Sequence, residues 1–174
     1  TKSLPMIALR AMTVLPEMVI HFDVSREKSL AAVECAMEGQ QKLFLTAQKN
    51  ADIEEPGIED VYETGCIVTV KQIIKLPKRM SRVLIMGDER ARLNHMEDTG
   101  KCLFADVSVV EDIDTLADEI GADRYPLNAE AMVLGLKDVF KEYMDKNPKA
   151  YKELSGQIGE IKELKKLVDV IAAN

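Results

Sequence analysis

The sequence predicts an α+β fold in two parts, a β-rich subdomain with one helix at residues 1–110 and a smaller helical subdomain at residues 127–174. Three observations support this prediction. Apolar residues in the first part recur at strand spacing between turn residues, and apolar residues in the second part recur at helical spacing. Residues 111–126 between them are rich in acidic side chains and show no clear period, so we interpret them as a connector with a short helix around 115–120.

Seven segments of the first part have the composition of strands, and the short connections between them favour antiparallel pairing. They span residues 6–9, 18–22, 43–48, 65–76, 82–86, 91–95 and 103–110. Gly87 followed by Asp88 predicts a turn between the fifth and sixth segments. A set of this kind closes into a barrel or folds as two packed sheets.

One helix is predicted directly after the second strand. Ser25 stands where an N-cap hydroxyl would accept a hydrogen bond from the first-turn amides, and Gly39 supplies the residue without a Cβ that often follows a helix end. Its apolar face at helical spacing consists of Leu30, Val33, Ala36 and Met37. The strand that follows is apolar enough to be buried on both faces.

The longest predicted strand, residues 65–76, contains an irregularity. Its apolar residues change phase between Val70 and Ile73, which predicts a β-bulge. Pro77 cannot donate a ladder hydrogen bond, so the chain is expected to turn over residues 77–81. The side chains exposed at the tip of that hairpin would be Lys78, Arg79 and Met80.

The C-terminal part has the apolar period of amphipathic helices. Asn128 caps a predicted helix, and Asn147 with Pro148 in the first turn begins another. The apolar faces consist of Met132, Leu136, Val139, Phe140 and Tyr143 in the first helix and of Ile161, Leu164, Leu167, Val168 and Ile171 in the last. The last helix has no Gly or Pro stop after it, so we expect the natural protein to continue beyond Asn174.

The composition indicates a cytoplasmic protein with an ordinary core. With 174 residues, of which 47% are hydrophobic, the chain can bury a core without staples. No apolar run approaches the roughly 20 residues that cross a bilayer, and the start lacks the apolar stretch of a secretory signal. The three cysteines, Cys35, Cys66 and Cys102, are odd in number and far apart, which favours a reducing compartment over a disulfide framework.

The charge balance argues against a nucleic-acid partner. The formal net charge is -7 and the isoelectric point is near 5.0. Neutralisation of phosphates requires a basic face, and residues 71–82 form the one local basic candidate. We therefore expect neither nucleic acid nor membrane as a partner.

The common catalytic and metal-binding motifs do not occur in the sequence. Gly100 and Lys101 lack the preceding Gly of a phosphate-binding Walker loop, and Ser155 lacks the spacing of a nucleophile elbow. His21 and His95 have no Cys, His or carboxylate at the short spacing of structural zinc sites. We predict no catalytic, cofactor-binding or metal-binding residue in this chain.

One enzymatic alternative stays open. Two acidic pairs, Glu54 with Glu55 and Asp112 with Asp114, lie in predicted loops, where solvated charge is the ordinary interpretation and the spacing of a calcium loop is not met. A small hydrolase built on Glu54, Asp112 or Asp114 would require these carboxylates to line a pocket.

Methionine is unusually frequent, with nine residues against four phenylalanines and no tryptophan. Thioethers are flexible and polarizable, so they suit surfaces that accept varied apolar partners, although core filling is the alternative. The residues predicted to form a binding surface are Met12, Val14, Leu15 and Met18 in the loop around Pro16, together with Met80 at the hairpin tip.

A series of short motifs keeps its order and spacing across residues 4–110. They are Leu4-Pro5, Leu9-Arg10, Leu15-Pro16-Glu17-Met18, Arg26-Glu27-Lys28-Ser29, Leu45-Thr46-Ala47-Gln48-Lys49, Tyr62 with Gly65, Lys75-Leu76-Pro77, and Gly87 through Arg90-Ala91-Arg92-Leu93. In the order and spacing of these motifs, the chain resembles the N-terminal domain of the ATP-dependent protease Lon. It departs from that pattern at Ala8 and Glu17, where the family usually has Pro and Gly, and at Lys78-Arg79-Met80, where it often turns through Asp-Gly.

The resemblance implies a β-rich, pseudo-barrel (PUA-like) subdomain followed by helices. It also implies that an ATPase module, which uses ATP and Mg, and a Ser-Lys protease module lie beyond Asn174. The domain would then recognise unfolded or damaged proteins for quality control and support assembly of a hexamer with other Lon subunits. The alternative is a free-standing Lon-domain adaptor or small-ligand-binding protein without an attached protease.

Overall fold

The computed structural model describes residues 1–110, 129–146, 156 and 158–173. The chain divides into two compact units, Thr1–Val110 and Glu111–Asn174. The connector predicted at residues 111–126 lies outside the described residues.

The first unit is built on one six-stranded sheet with a single α-helix. Its elements are β1 (Lys2–Leu9), β2 (Val19–Val24), α1 (Glu27–Glu38), β3 (Lys42–Ala47), a 3-10 turn (Ile58–Asp60), β4 (Thr64–Leu76), β5 (Met80–Asp98) and β6 (Leu103–Val109). The strand order is β2-β5-β4-β3-β1-β6, and β5 also pairs with β6. The pairing of β1 with β3 is parallel, whereas the other pairings are antiparallel.

The extra pairing closes five of the strands into a barrel. The second half of β5 pairs with β6, from Ala91 opposite Val109 onward, while its first half pairs with β2. Strand β2 therefore extends from the barrel as a flap held by β5 alone among the described strands. The predicted α+β fold is confirmed.

The turn predicted at Gly87 and Asp88 is wrong, because β5 runs through both residues as one strand of 19 residues. Ile67 pairs with Glu89 and Val68 pairs with Gly87, so Asp88 is the unopposed residue of a β-bulge. Its carboxylate accepts hydrogen bonds of 2.8 Å from Lys42 Nζ and from Thr69 Oγ1.

The bulge predicted in β4 is confirmed. Val70 pairs with Ile85 and Gln72 with Leu84, which leaves Lys71 unopposed. The chain then turns after Leu76 as predicted, through Lys78 and Arg79 at positive φ angles of 63° and 54°. Both side chains at this tip are exposed, whereas Met80 already belongs to β5 and is half-buried.

The helix α1 forms where it was predicted, but its cap and its buried face differ. Arg26, not Ser25, is the N-cap residue, and it makes no side-chain capping bond. The buried residues are Ser29, Ala32, Val33 and Ala36, whereas Met37 is exposed. This face packs against β1 and β3.

Strand β3 separates two apolar clusters, which confirms that both its faces are buried. Leu43 and Leu45 point into the cluster beneath α1. Phe44 points into the second cluster, between β1, β4, β5 and β6. Alternating side chains of one strand therefore fill both halves of the core.

In the second unit, α2 (Ala129–Lys146) and α3 (Leu164–Ala172) pack around Val133, Ile158 and Leu167. Leu136, Phe140, Ile161, Leu164 and Ile171 join this core as predicted. The predicted apolar faces are wrong for Met132, Val139, Tyr143 and Val168, which are exposed. The predicted helix starts at Asn128 and Asn147 lie outside the described residues.

No helix in the described part of the chain has the length and the apolar character required to cross a membrane.

Candidate functional site

The loop between β1 and β2 is held against the middle of β5. Glu17 N donates to Gly87 O over 3.0 Å, and Gly87 N donates to Met18 O over 2.8 Å. Two residues of the loop, Ala11 and Glu17, have positive φ angles of 50° and 65°. The loop is therefore an ordered part of the barrel wall.

The side chains of this loop are less exposed than predicted. Val14 is not exposed as predicted, because only 5% of it is accessible and it belongs to the cluster beneath α1. Met12 is half-buried against the same cluster, and Leu15 and Met18 are also half-buried. Apolar residues of this loop therefore contribute to the core.

The fifth predicted binding residue, Met80, lies at the other end of the flap. Val19 pairs with Met86 and Val24 pairs with Ser81, so the length of β2 separates Met18 from Met80. At the rise of a strand this distance is roughly 20 Å. The structure therefore does not gather the five predicted residues into one patch.

A different apolar surface is exposed between Met18 and Met80. We use the term β2 face for the outward side of β2 and of the adjoining parts of β4 and β5, formed by Val19, His21, Gln72, Ile74 and Leu84. His21 and Gln72 both pair with Leu84, so the three strands present these side chains in one row. Four of the five residues, with Arg82, line a shallow depression of about 330 Å³.

Two large aliphatic side chains stand out on the β2 face. Val19 is 64% exposed and Ile74 is 47% exposed. Sequence reasoning missed both of them, although the alternation of β2 contains the signal. Phe22 and Val24 face the core, so Val19 must lie on the same outward side as His21.

The backbone edge of β2 is open as well. Strand β2 pairs with β5 along its whole length, and no second described strand pairs with its other edge. An edge of this kind presents backbone donors and acceptors that a further strand can bind.

The hairpin beside the β2 face is strongly basic. Arg82 forms a bidentate ion pair with Asp23, with nitrogen to oxygen distances of 2.7 and 2.9 Å. This hydrogen bonding by Arg82 lowers the pKa of the Asp23 carboxyl. The remaining cations of the hairpin have no acidic partner among the described residues, and they are Lys71, Lys75, Lys78 and Arg79.

The described residues contain no arrangement that indicates catalysis. They include no cluster of three or more His, Cys, Asp or Glu side chains able to hold a metal ion. Glu54 is an exposed loop residue, and Asp112 and Asp114 lie outside the described residues. What this surface offers is an apolar strip, an open strand edge and positive charge, which are means of binding a polypeptide.

Comparison with known proteins identifies a family that matches almost the whole chain. A profile of the family described as the ATP-dependent protease La (LON) substrate-binding domain matches residues 3–174. The chain is 37% identical over 171 residues to the Lon protease of Clostridioides difficile, and 33% identical over 173 residues to that of Haemophilus influenzae. These alignments cover 98% and 99% of the chain.

The fold is similar to that of solved Lon domains. The N-terminal domain of Mycobacterium avium complex Lon protease superposes with a TM-score of 0.73 and 17% sequence identity, covering 97% of this chain and 80% of that one. The chain spans about a fifth of the length of the curated relatives that it matches, 21% for the C. difficile protein and 20% for the H. influenzae protein.

Proposed function

Because the chain belongs to the family of Lon substrate-binding domains, we propose that it is the N-terminal part of an ATP-dependent Lon-type protease and selects unfolded or damaged proteins for degradation. The resemblance seen in the short motifs of residues 4–110 is thereby confirmed at the level of the family. The substrates and the activity of the whole protein form part of the proposal.

The observation that carries the proposal is the juxtaposition of exposed aliphatic side chains with an open strand edge. An unfolded polypeptide is extended, so it can add to β2 as a further strand through main-chain hydrogen bonds. Val19 and Ile74 would then remove alternate apolar side chains of the substrate from water. Main-chain bonds do not depend on sequence, which suits a site that accepts many unfolded proteins.

The half-buried methionines extend this site. Met18 precedes β2 and Met80 faces its other end, so the two thioethers flank the path of a bound strand. We retain Leu15, Met18 and Met80 as substrate contacts of this site, whereas Met12 packs against the cluster beneath α1 and is not part of it. We leave Val14 out of the proposed surface, because only 5% of it is accessible.

In the whole protein, the chain would act together with modules that lie outside it. We propose that an ATPase module using ATP and Mg and a Ser-Lys protease module complete a cytoplasmic enzyme, and that its subunits assemble into a hexamer. Several weak sites in one assembly gain avidity for a single unfolded chain through effective concentration. The much greater length of the curated relatives supports an attached protease over a free-standing adaptor.

The test measures how well the 174-residue chain captures a permanently unfolded protein such as reduced, carboxymethylated α-lactalbumin. The double variant Val19→Ser with Ile74→Ser should weaken capture by about tenfold or more, since each change removes apolar area of the order of 1 kcal/mol from the contact. Met37→Ser on α1 is the control, because it removes an exposed apolar side chain that is not part of the β2 face. Unchanged capture by a folded double variant would refute the β2 face as the site.

A further inference from the structure

A second cleft opens where the end of β1 meets the start of α1. It has a volume of about 220 Å³, and the polar side chains that line it include Arg10, Ser25, Arg26 and Ser29. It differs from the β2 face in combining cations and hydroxyls in one concavity. A cleft of this volume can hold several waters, or one side chain with its terminal group.

Two guanidinium groups meet at this cleft without an anion between them. Arg26 Nη1 donates to Gln48 Oε1 over 3.0 Å and to Glu54 O over 3.3 Å, and Nη2 donates to Ala8 O. Arg10 Nη2 donates to Ile53 O over 3.3 Å. All of these acceptors are neutral. In the described part of the chain, no carboxylate forms an ion pair with either arginine.

Among the described residues, no ion pair therefore compensates the positive charge of the cleft. Burial, with the neighbouring charge of Arg10, lowers the pKa of Arg26. The one carboxylate in the lining belongs to Asp23, and Arg82 already holds it through two hydrogen bonds. The cleft thus presents two cations to any anion that enters.

Ser29 supplies a hydroxyl that has no hydrogen-bond partner among the described residues. It is only 8% exposed, lines the cleft, and makes no hydrogen bond to another described residue. No fully buried side-chain oxygen in the described residues lacks a hydrogen bond. The Ser29 hydroxyl must therefore reach solvent, and the cleft that it lines provides the opening. An acceptor bound there would satisfy it.

The start of α1 adds to the positive electrostatic potential of the cleft. The helix has 12 residues, and its N-cap residue Arg26 makes no side-chain bond to the free first-turn amides. These amides carry the positive end of the helix dipole, which attracts anions. The arginine pair, the Ser29 hydroxyl and the start of α1 thus lie at the same cleft, and each of them favours an anion.

Apolar walls complete the cleft and restrict the kind of anion. Leu9, Met12 and Phe22 line it beside the arginines. We propose that the cleft binds the free C-terminal carboxylate of a polypeptide whose last side chain is apolar, with Arg10, Arg26 and Ser29 holding the carboxylate and Met12 contacting the side chain. This inference rests on the proposed function, and it names a substrate class that the β2 face cannot select.

The experiment titrates the isotope-labelled 174-residue chain with an octapeptide of Gly and Ser that ends in Leu with a free carboxylate. Amide resonances around Lys28 and Ser29 should shift on binding. The same peptide with a C-terminal amide should bind at least about tenfold more weakly, because it loses charge-assisted hydrogen bonds. A peptide that ends in Gly should also bind more weakly, because it leaves the apolar wall empty.

Two variants locate the site on the protein. Arg10→Gln and Ser29→Ala should each weaken binding of the free-acid peptide by about threefold to tenfold and leave the amide peptide unaffected. Both changes are compatible with the fold, since Arg10 is exposed and alanine favours a helix. Arg79→Gln, which removes an equally exposed cation from the β4–β5 hairpin, should have no effect.

Equal binding of the acid and amide peptides would overturn this inference, and so would equal binding of the peptides that end in Leu and Gly. Either result, combined with normal capture of unfolded α-lactalbumin, would leave the proposed function intact. Loss of α-lactalbumin capture by the β2 face would count against the proposed function alone, since the octapeptide is too polar to require that surface.

Discussion

Gly87 lies directly beneath the carbonyl group of Leu15. A Cβ atom built on Gly87 would stand 2.1 Å from Leu15 O, although residue 87 lies in the middle of a long strand. The backbone hydrogen bonds between Gly87 and the loop hold the two segments at this separation. The glycine is therefore required by close approach of another part of the chain and not by a turn.

Gly87→Ala should destabilise the protein. The clashing atom belongs to the backbone, so it cannot move away as a flexible side chain would, and we expect a loss toward the upper end of about 1–3 kcal/mol. Urea unfolding measures the change. Gly39→Ala is the control, because its added Cβ would meet only ordinary contacts of 3.5 Å and longer. Equal stability of the two variants would contradict this account of the loop.

Glu17→Gly should stabilise the protein by up to about 1 kcal/mol. Glu17 has a φ angle of 65°, a conformation that costs an L side chain roughly 1–2 kcal/mol, of which the entropy of the unfolded glycine offsets a part. Glu17→Ala separates the backbone effect from loss of the carboxylate, since alanine keeps the unfavourable φ. If alanine stabilises as much as glycine, the carboxylate is responsible and not the backbone.

The ion pair of Asp23 with Arg82 should make stability depend on pH at the acid end. The folded pKa of Asp23 is lowered, so its contribution is present above the unfolded pKa of about 3.9 and is lost as the pH falls through the folded value. The difference in unfolding free energy between the wild type and Asp23→Asn should therefore shrink as the pH falls below about 4.

A double-mutant cycle with Arg82→Gln tests the same ion pair. In the Arg82→Gln background, Asp23→Asn should lose its effect at neutral pH, because the partner that lowers the pKa is absent. Both side chains are exposed, so added salt should reduce the coupling. A difference between wild type and Asp23→Asn that stays constant from pH 7 to acid pH would contradict the assignment.

Cys35 and Cys102 should form a disulfide when an oxidant is supplied. Their Sγ atoms are 3.8 Å apart, and a bond requires about 2.05 Å, so a small movement suffices. The two thiols would lose two protons and two electrons to diamide, which is reduced to the hydrazine. Burial raises the pKa of Cys102, so the reaction should be faster at alkaline than at neutral pH.

Mass spectrometry of peptides detects this product. Cys66→Ser should leave the cross-link unchanged, whereas Cys35→Ser should abolish it. Cross-links from Cys66 under native conditions would contradict the geometry, because Cys66 is buried elsewhere in the barrel wall.

Local patterns predicted the features that depend on neighbouring residues. The phase change around Lys71 predicted a bulge correctly, since side-chain alternation along one strand records it. The apolar run of β3 likewise indicated burial on both faces, which Leu43 and Phe44 bear out. The turn predicted from Gly87 and Asp88 is wrong, because a turn and a close backbone approach require the same residue type.

Local patterns did not predict which residues of the candidate surfaces are exposed. Val14 looked like an exposed loop residue, but burial of a loop depends on which part of the barrel it crosses. Val19 is exposed although it lies in a strand, because β2 is an edge that only the pairing with β5 defines. Neither property follows from residues close in the sequence.

The sequence by itself determined the α+β class, the position of most strands and the family, because these depend on local periodicity and on short motifs in fixed order. Only the tertiary structure decided how the barrel closes, which edge remains open and which charges meet. Arg10 and Arg26, which 15 residues separate in the sequence, line one cleft because α1 packs against β1. Contacts of that kind depend on long-range strand pairing, which the local period of a sequence does not encode.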